Sequence, residues 1–238
     1  MGSDCAGRPP KWQRRPEARP AEIVEAAIEA FGQLGYERAT LADVARRAGV
    51  CSGTVAHYFG SKGGLFEAAI TERFGRFVAE EELALGTKAG PAWPRLERLL
   101  RGLWDHLWAP GTLELIRVVR VCAAEFPEAS HIIRREMSER WRRLVVAVLE
   151  DGIRAGEFRR ELDPQLMSRI IGYALVGVAD SVAAFAPHDE KMPSPETVWE
   201  FINDMVKRLL QEVEPAKTPG RKSRRAQSKS GPRAGEAV

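Results

Sequence analysis

Apolar residues recur with a helical period of about 3.6 from about residue 20 to about residue 213, and no segment alternates apolar and polar as a half-buried strand must. Ile23, Val24, Ala27, Ile28, Phe31 and Leu34 share one face of a first helix, and Gly35 stops it. Thr40 caps a second, barely two turns long, in which Leu41, Val44, Ala45 and Ala48 recur at i, i+3, i+4 and i+7 before Gly49 ends it. A third short helix runs from about Ser52 to Phe59. A fourth begins near Ser61 and buries Leu65, Phe66, Ala69, Ile70, Phe74 and Phe77. After "GTKAGPA" at 86–92, further helices are predicted over roughly 93–108, 112–125 and 127–155. Beyond "AGEFRRELDP" a last pair covers about 164–186 and 195–213. A chain built this way offers no sheet to fold around, so the expected fold is all-α.

The 238 residues are 44% apolar, enough to bury the core of one large or two small domains. The ends are exceptions: 1–19 and 214–238 are rich in proline and Lys/Arg, poor in large apolar side chains, and read as disordered basic arms. The net charge of +3 hides an asymmetry, with 1–62 and 214–238 net basic and 63–213 net acidic. Arms of this kind release counterions from DNA and are expected to add sequence-independent affinity. Cys5, Cys51 and Cys122 are odd in number, scattered and without CxxC spacing, which fits a reducing cytoplasm and neither a disulfide framework nor a zinc site. His106, His131 and His188 are scattered and lack acidic or thiol partners at i, i+4, so no metal is expected. No Ser/His/Asp set or phosphate loop is visible, which argues against an enzyme and against a cofactor. The longest uninterrupted apolar run, Ile170 to Ala179, ends at Asp180, short of the roughly 20 residues a bilayer crossing needs, so no membrane partner is expected. The N-terminal "MGSDCAGRPPKWQRRPEARP" has no apolar h-region, and Ala6 stands where a myristoylation signal wants Ser or Thr.

The stretch "GVCSGTVAHYFGSKGGL", 49–65, packs small, hydroxyl, aromatic, imidazole and ammonium groups into one short span. Two short helices separated by a three-residue turn containing Gly49 describe a helix-turn-helix, whose second helix fits a major groove about 12 Å wide. In that geometry Val55 and Phe59 face inward. Ser52, Gly53, Thr54 and Ala56 are small or polar enough to approach base edges, and His57, Tyr58 and Lys62 are long enough to reach phosphate oxygens. Free backbone N–H groups at the helix after Ser61 also suit a phosphate. Arg46 and Arg47 fit either a phosphate contact or a solvated surface.

Residues 20–66 resemble the DNA-binding domain of TetR-family transcriptional regulators. The likeness rests on "IVEAAIEAFGQLGYERATLADVARRAGVCSGTVAHYFGSKGGLF". Within it stand the frame Phe31, Gly35, Thr40, Ala45, Gly49 and Val50, then Gly53-Thr54-Val55, Tyr58-Phe59 and Ser61-Lys62. The resemblance implies base-edge contacts at Ser52, Thr54 and Ala56, backbone contacts at His57, Tyr58 and Lys62, and a Thr40-capped helix that also touches phosphate. Three positions depart from the family pattern. Cys51 replaces a Ser-like cap, and a thiol is a poorer acceptor. Ala56 replaces an aromatic and leaves a methyl for a thymine contact. Gly63-Gly64 replace helix-favouring acidic residues, which predicts a pliant start to the fourth helix.

The same resemblance implies a larger helical domain over 67–213, joined through the fourth helix, that binds a small-molecule effector and forms a homodimer through the last two helices. The interface residues are then Leu166, Ile170, Ala174, Leu175 and Val178 with Val198, Phe201, Ile202, Met205 and Leu209, and Gly172, Ala174, Gly177 and Ala179 permit close helix approach. Trp93, Trp104, Trp108, Phe126 and Trp141 fit either a core or a pocket wall. The pocket reading takes Trp104, Trp108, Phe126, Trp141 and Tyr173 as apolar walls and His106 and Arg117 as polar groups. The family mechanism is a repressor on a palindromic double-stranded operator, released when a small apolar or aromatic ligand swings the fourth helix. The alternative is a helical DNA-binding adaptor without effector, acting through protein partners.

Overall fold

The computed structural model describes residues 19–86, 90–122 and 127–211, and every regular element within them is helical. Phe126, most of the basic arm 1–19, all of the arm 214–238 and the end of the helix expected over 112–125 lie outside the described residues.

Helix α1 (Arg19–Arg38) is broken at Gly35, whose φ of 77° and ψ of 162° no β-carbon-bearing residue adopts comfortably, so Gly35 ends the regular helix and a last turn follows. Helix α2 (Leu41–Arg47) begins with a reciprocal cap. The Asp43 N–H donates to Thr40 Oγ1 (3.2 Å), and the Thr40 N–H donates to the Asp43 carboxylate (3.0 Å). Helix α3 (Ser52–Phe59) follows a turn in which Gly49 has φ +65°. Helix α4 (Lys62–Ile70) passes through a π turn, Thr71–Gly75, into α5 (Arg76–Gly86). Ile70 and Arg76 on either side keep helical dihedrals, so one rod runs from 62 to 86. The division expected at 66/67 therefore falls inside a helix.

The remaining helices are α6 (Ala92–Leu107), α7 (Thr112–Cys122), α8 (Pro127–Ile133), α9 (Arg140–Ala155), α10 (Pro164–Phe185) and α11 (Pro195–Leu210). A second π turn, Arg134–Glu139, joins α8 to α9. The expected boundaries at 86–92 and 155–164 hold, the latter because Gly156 closes α9 in the left-handed conformation and Asp163 caps α10. One hydrophobic core runs through the whole assembly, from Ile23, Phe31 and Phe66 to Leu99, Trp104 and Val145. In the first half of that core, Phe31 and Tyr36 both pack on the Phe66 ring, at 4.9 and 4.8 Å.

Two glycines let α1 and α7 meet closely. A Cβ on Gly32 would lie 3.0 Å from Glu114 Cβ, and one on Gly111 would lie 2.7 Å from Ile28 Cγ2. The first three helices are thus joined to the rest by α7 as well as by the α4–α5 rod.

Helix α10 is apolar beyond its uninterrupted run Ile170 to Ala179. With its final turn it spans Pro164–His188 at a mean hydropathy of 1.6, long and apolar enough to cross a bilayer by length and composition. Asp180 punctuates the segment and ends the uninterrupted run at Ala179. Asp180 is not solvated alone: it accepts from Arg117 Nε (2.5 Å) and Arg120 Nη1 (3.1 Å) of α7.

Candidate nucleic-acid interface and effector cavity

Helix α3 is held by one side and free on the other. Val55 is fully buried and Phe59 packs against the core, while Ser52, Gly53, Ala56, His57 and Tyr58 are exposed. The His57 and Tyr58 rings meet edge to face at 5.5 Å. As a thiol at the cap position implies, Cys51 makes no side-chain cap bond. Its sulfur lies 3.1 Å from Thr54 Oγ1 instead, and that hydrogen bond holds the thiol below its ordinary pKa. Thr54 is half-buried and its hydroxyl already has a partner.

The cationic residues expected at phosphates are engaged within the chain. Lys62 donates through Nζ to the Glu37 carbonyl (2.9 Å) and lies 4.6 Å over the Tyr36 ring, tying the start of α4 to the end of α1. Arg46 pairs with Asp43, whose carboxyl is held below the usual carboxylate range chiefly by its hydrogen bonds from Thr40. Arg47 Nη2 donates to Gln33 Oε1 (2.8 Å). An exposed ion pair such as Arg46–Asp43 is worth at most about 1 kcal/mol.

Gly64 has a different role from the one the sequence suggested. A Cβ there would stand 2.4 Å from the Phe59 carbonyl oxygen, so its absence allows α3 and α4 to meet at the Gly60 turn, and the Gly64 N–H donates to Ser61 Oγ (3.1 Å), which caps α4.

A cavity of about 310 Å³ lies between α10, the π turn 134–139, the start of α9 and Leu103 of α6. Trp141 and Tyr173 line it, as expected of pocket walls. The other expected residues stand elsewhere. Trp104 is core, packed between Trp108 (5.8 Å) and Trp199 (6.3 Å), and Trp108 itself packs against that core. His106 stacks on Phe77 at 4.3 Å, and burial, helped by the nearby Arg73 charge, pushes its pKa down to about 4. Arg117 is committed to Asp180. Sequence reasoning missed Arg134, Arg142 and Arg169, although Arg169, Gly172, Tyr173 and Val176 recur at i, i+3, i+4 and i+7 and all line the cavity. Gly172 admits the Trp141 ring, since a Cβ would be 3.2 Å from Trp141 Cζ3.

The apolar faces of α10 and α11 also sort differently from expectation. Leu166, Ile170, Phe201, Met205 and Leu209 are exposed, Phe201 at 71%. Leu175 and Ile202 belong to the chain's own core, and Ala174, Val178 and Val198 are half-buried, Val178 and Val198 against it. The reason is the helical period: Leu175 is turned about 100° from Ala174, into the core. Tyr173, 75% exposed, and Phe185 extend the outer stripe and were not expected there.

Residues 23–69 match the sequence profile described as "Bacterial regulatory proteins, tetR family". Over 169 residues the chain is 30% identical to the HTH-type transcriptional regulator BetI of Escherichia coli O139:H28, covering 69% of this chain and 80% of that protein. Among solved structures it resembles the transcriptional regulator FadR from Bacillus subtilis in complex with stearoyl-CoA, with a TM-score of 0.63 at 20% identity over 80% of this chain and 99% of that one. It also resembles a transcriptional regulator from Saccharomonospora viridis in complex with choline, with a TM-score of 0.68 at 20% identity over 84% and 100%. The helix-turn-helix frame, the all-helical body and these likenesses agree, and the chain belongs to the TetR family of DNA-binding transcriptional regulators.

Proposed function

We propose that the protein is a homodimeric repressor that binds a palindromic operator through residues 20–66 and is released when a small molecule enters the cavity in residues 67–213. The observation that carries the DNA reading is the two-sidedness of α3, with Val55 and Phe59 fixing it against the core and a row of small and polar side chains left outside. In this reading Ser52, Gly53, Thr54 and Ala56 face base edges and His57 and Tyr58 reach the backbone, with Thr40 and Arg46 beside them. Lys62 acts chiefly by fixing α4 to α1, as its contacts indicate. The exposed stripe of Leu166, Ile170, Tyr173, Phe201, Met205 and Leu209 is covered by a second copy, which also accounts for the apolar character of α10 without a bilayer. A repressor of this kind acts where its operator is, in the cytoplasm, and needs no catalysis of its own.

The cavity supports an effector-responsive regulator over an adaptor that lacks one. Its wall Val176 is one turn from Asp180, and Asp180 holds Arg117 and Arg120 of α7, which packs on α1 at Gly32 and Gly111. A ligand that displaces α10 therefore has a route to the DNA-binding helices through α7, alongside the α4–α5 rod. The required coupling is about 1–3 kcal/mol, and the ligand must favour the DNA-incompetent arrangement, since equal affinity for both shifts nothing.

The test is operator binding by wild type and by the double variant His57→Ala, Tyr58→Ala, both exposed and neither in the core. Loss of most duplex affinity with unchanged circular dichroism is expected. Undiminished affinity would overturn the placement of α3 in the groove.

A further inference from the structure

We infer that the cavity takes an amphiphile with an apolar body and an anionic head, a carboxylate or its coenzyme thioester, and rejects quaternary ammonium ions. The inference rests on the reading of this cavity as an effector site.

The walls divide by burial. Leu103, Met137 and Trp141 are buried and form an apolar floor, whereas Arg134 and Arg169 are exposed at the mouth. Three arginines and one glutamate line the cavity. Glu139 is paired with Arg134. Arg142 donates to the neutral Gln165 amide oxygen (2.6 Å), and Arg169 has no hydrogen bond or ion pair among the described residues. Two guanidinium charges are thus left without a carboxylate. A cation entering here meets net repulsion, and a carboxylate or phosphate meets planar donors suited to it.

The Trp141 side chain is 4% exposed and lines the cavity. Four of the lining residues, Arg134, Met137, Ser138 and Glu139, also sit on the π turn, an irregularity frequent at binding sites.

The experiment compares probes that share one tail. Dodecanoate, dodecanoyl-coenzyme A, dodecanol and dodecyltrimethylammonium are titrated calorimetrically into the full chain, each below its micelle concentration. The anionic probes should bind at least about tenfold tighter than the ammonium at moderate salt, a preference that shrinks at 1 M salt. A tighter thioester than free acid assigns the head to the coenzyme, and the reverse assigns it to the carboxylate. Arg169→Glu with Arg142→Glu, on exposed or half-buried positions, should abolish or invert the preference. Val176→Phe should weaken all four probes by filling the cavity. Equal or tighter binding of dodecyltrimethylammonium would overturn the anionic assignment while leaving the cavity in place. No binding by any probe, or binding that Val176→Phe leaves unchanged, would overturn the effector-site reading itself.

Discussion

Gly64→Ala sets two effects of opposite sign against each other. Replacing glycine by alanine in the first turn of a helix raises helix propensity by up to about 1 kcal/mol. At this position the new Cβ would stand 2.4 Å from the Phe59 carbonyl oxygen, a backbone atom that cannot rotate away. Restoring even a 3.0 Å contact requires α3 and α4 to part by about 0.6 Å, and Phe59 and Leu65 on either side are packed into the core. Overpacking of this kind costs about 1–3 kcal/mol, so with the full propensity gain taken off the balance is a net loss of up to about 2 kcal/mol. For a chain of this size that is a fall in Tm of up to roughly 8 °C, measured by thermal melting. Operator affinity should fall with it, because the displaced element is the recognition helix. Gly53→Ala is the internal control: its Cβ meets nothing closer than Cys51 Sγ at 4.0 Å, so the same substitution should raise Tm. A Gly64→Ala protein that melts higher than wild type and binds DNA normally would refute the packing argument.

Lys62→Met should lower stability by about 1 kcal/mol, through loss of the bond to the Glu37 carbonyl, while leaving the salt dependence of DNA binding nearly unchanged. A slope reduced by about one phosphate would show instead that the ammonium faces DNA. His106, depressed to about 4 from an ordinary value near 6.5, binds its proton more readily in the unfolded chain, so its contribution is complete above pH 6.5 and is lost as pH falls toward 4. The loss is at most about 3 kcal/mol, and chemical denaturation of His106→Gln should show a shallower decline across that window than wild type. Leu166→Asp with Phe201→Asp should give folded monomers by sedimentation at micromolar concentration. Leu175→Asp, in the core, should unfold the chain, and a folded Leu175→Asp monomer would contradict the burial.

The helices were legible because their signals are local. Thr40, Gly49, Ser61 and Asp163 act within one turn, and the buried faces of α1 and α4 follow from spacing alone. The α3 surface was legible for the same reason. What the sequence could not give was the partner of each long side chain. Lys62 meets Glu37 across 25 residues, and Arg117 meets Asp180 across 63, so these engagements depend on how α1, α4, α7 and α10 come together. The aromatic residues misled in the same way: Trp104 and Trp141 share a chemistry, and only packing separates the core residue from the cavity wall. Gly64 shows the converse, a residue scored as a weakness of its own helix that is fixed by a carbonyl on the one before it.

The central claim is that two copies of α3 read one symmetric duplex. Selection from a random pool of duplexes by the full chain tests it most directly. The account predicts enrichment of a palindrome whose half-site centres lie about 34–36 Å apart, or a multiple of that spacing, as a twofold dimer with one recognition helix per subunit requires. A pool with no enriched sequence, or one enriched for a single asymmetric site bound by one chain, would contradict it.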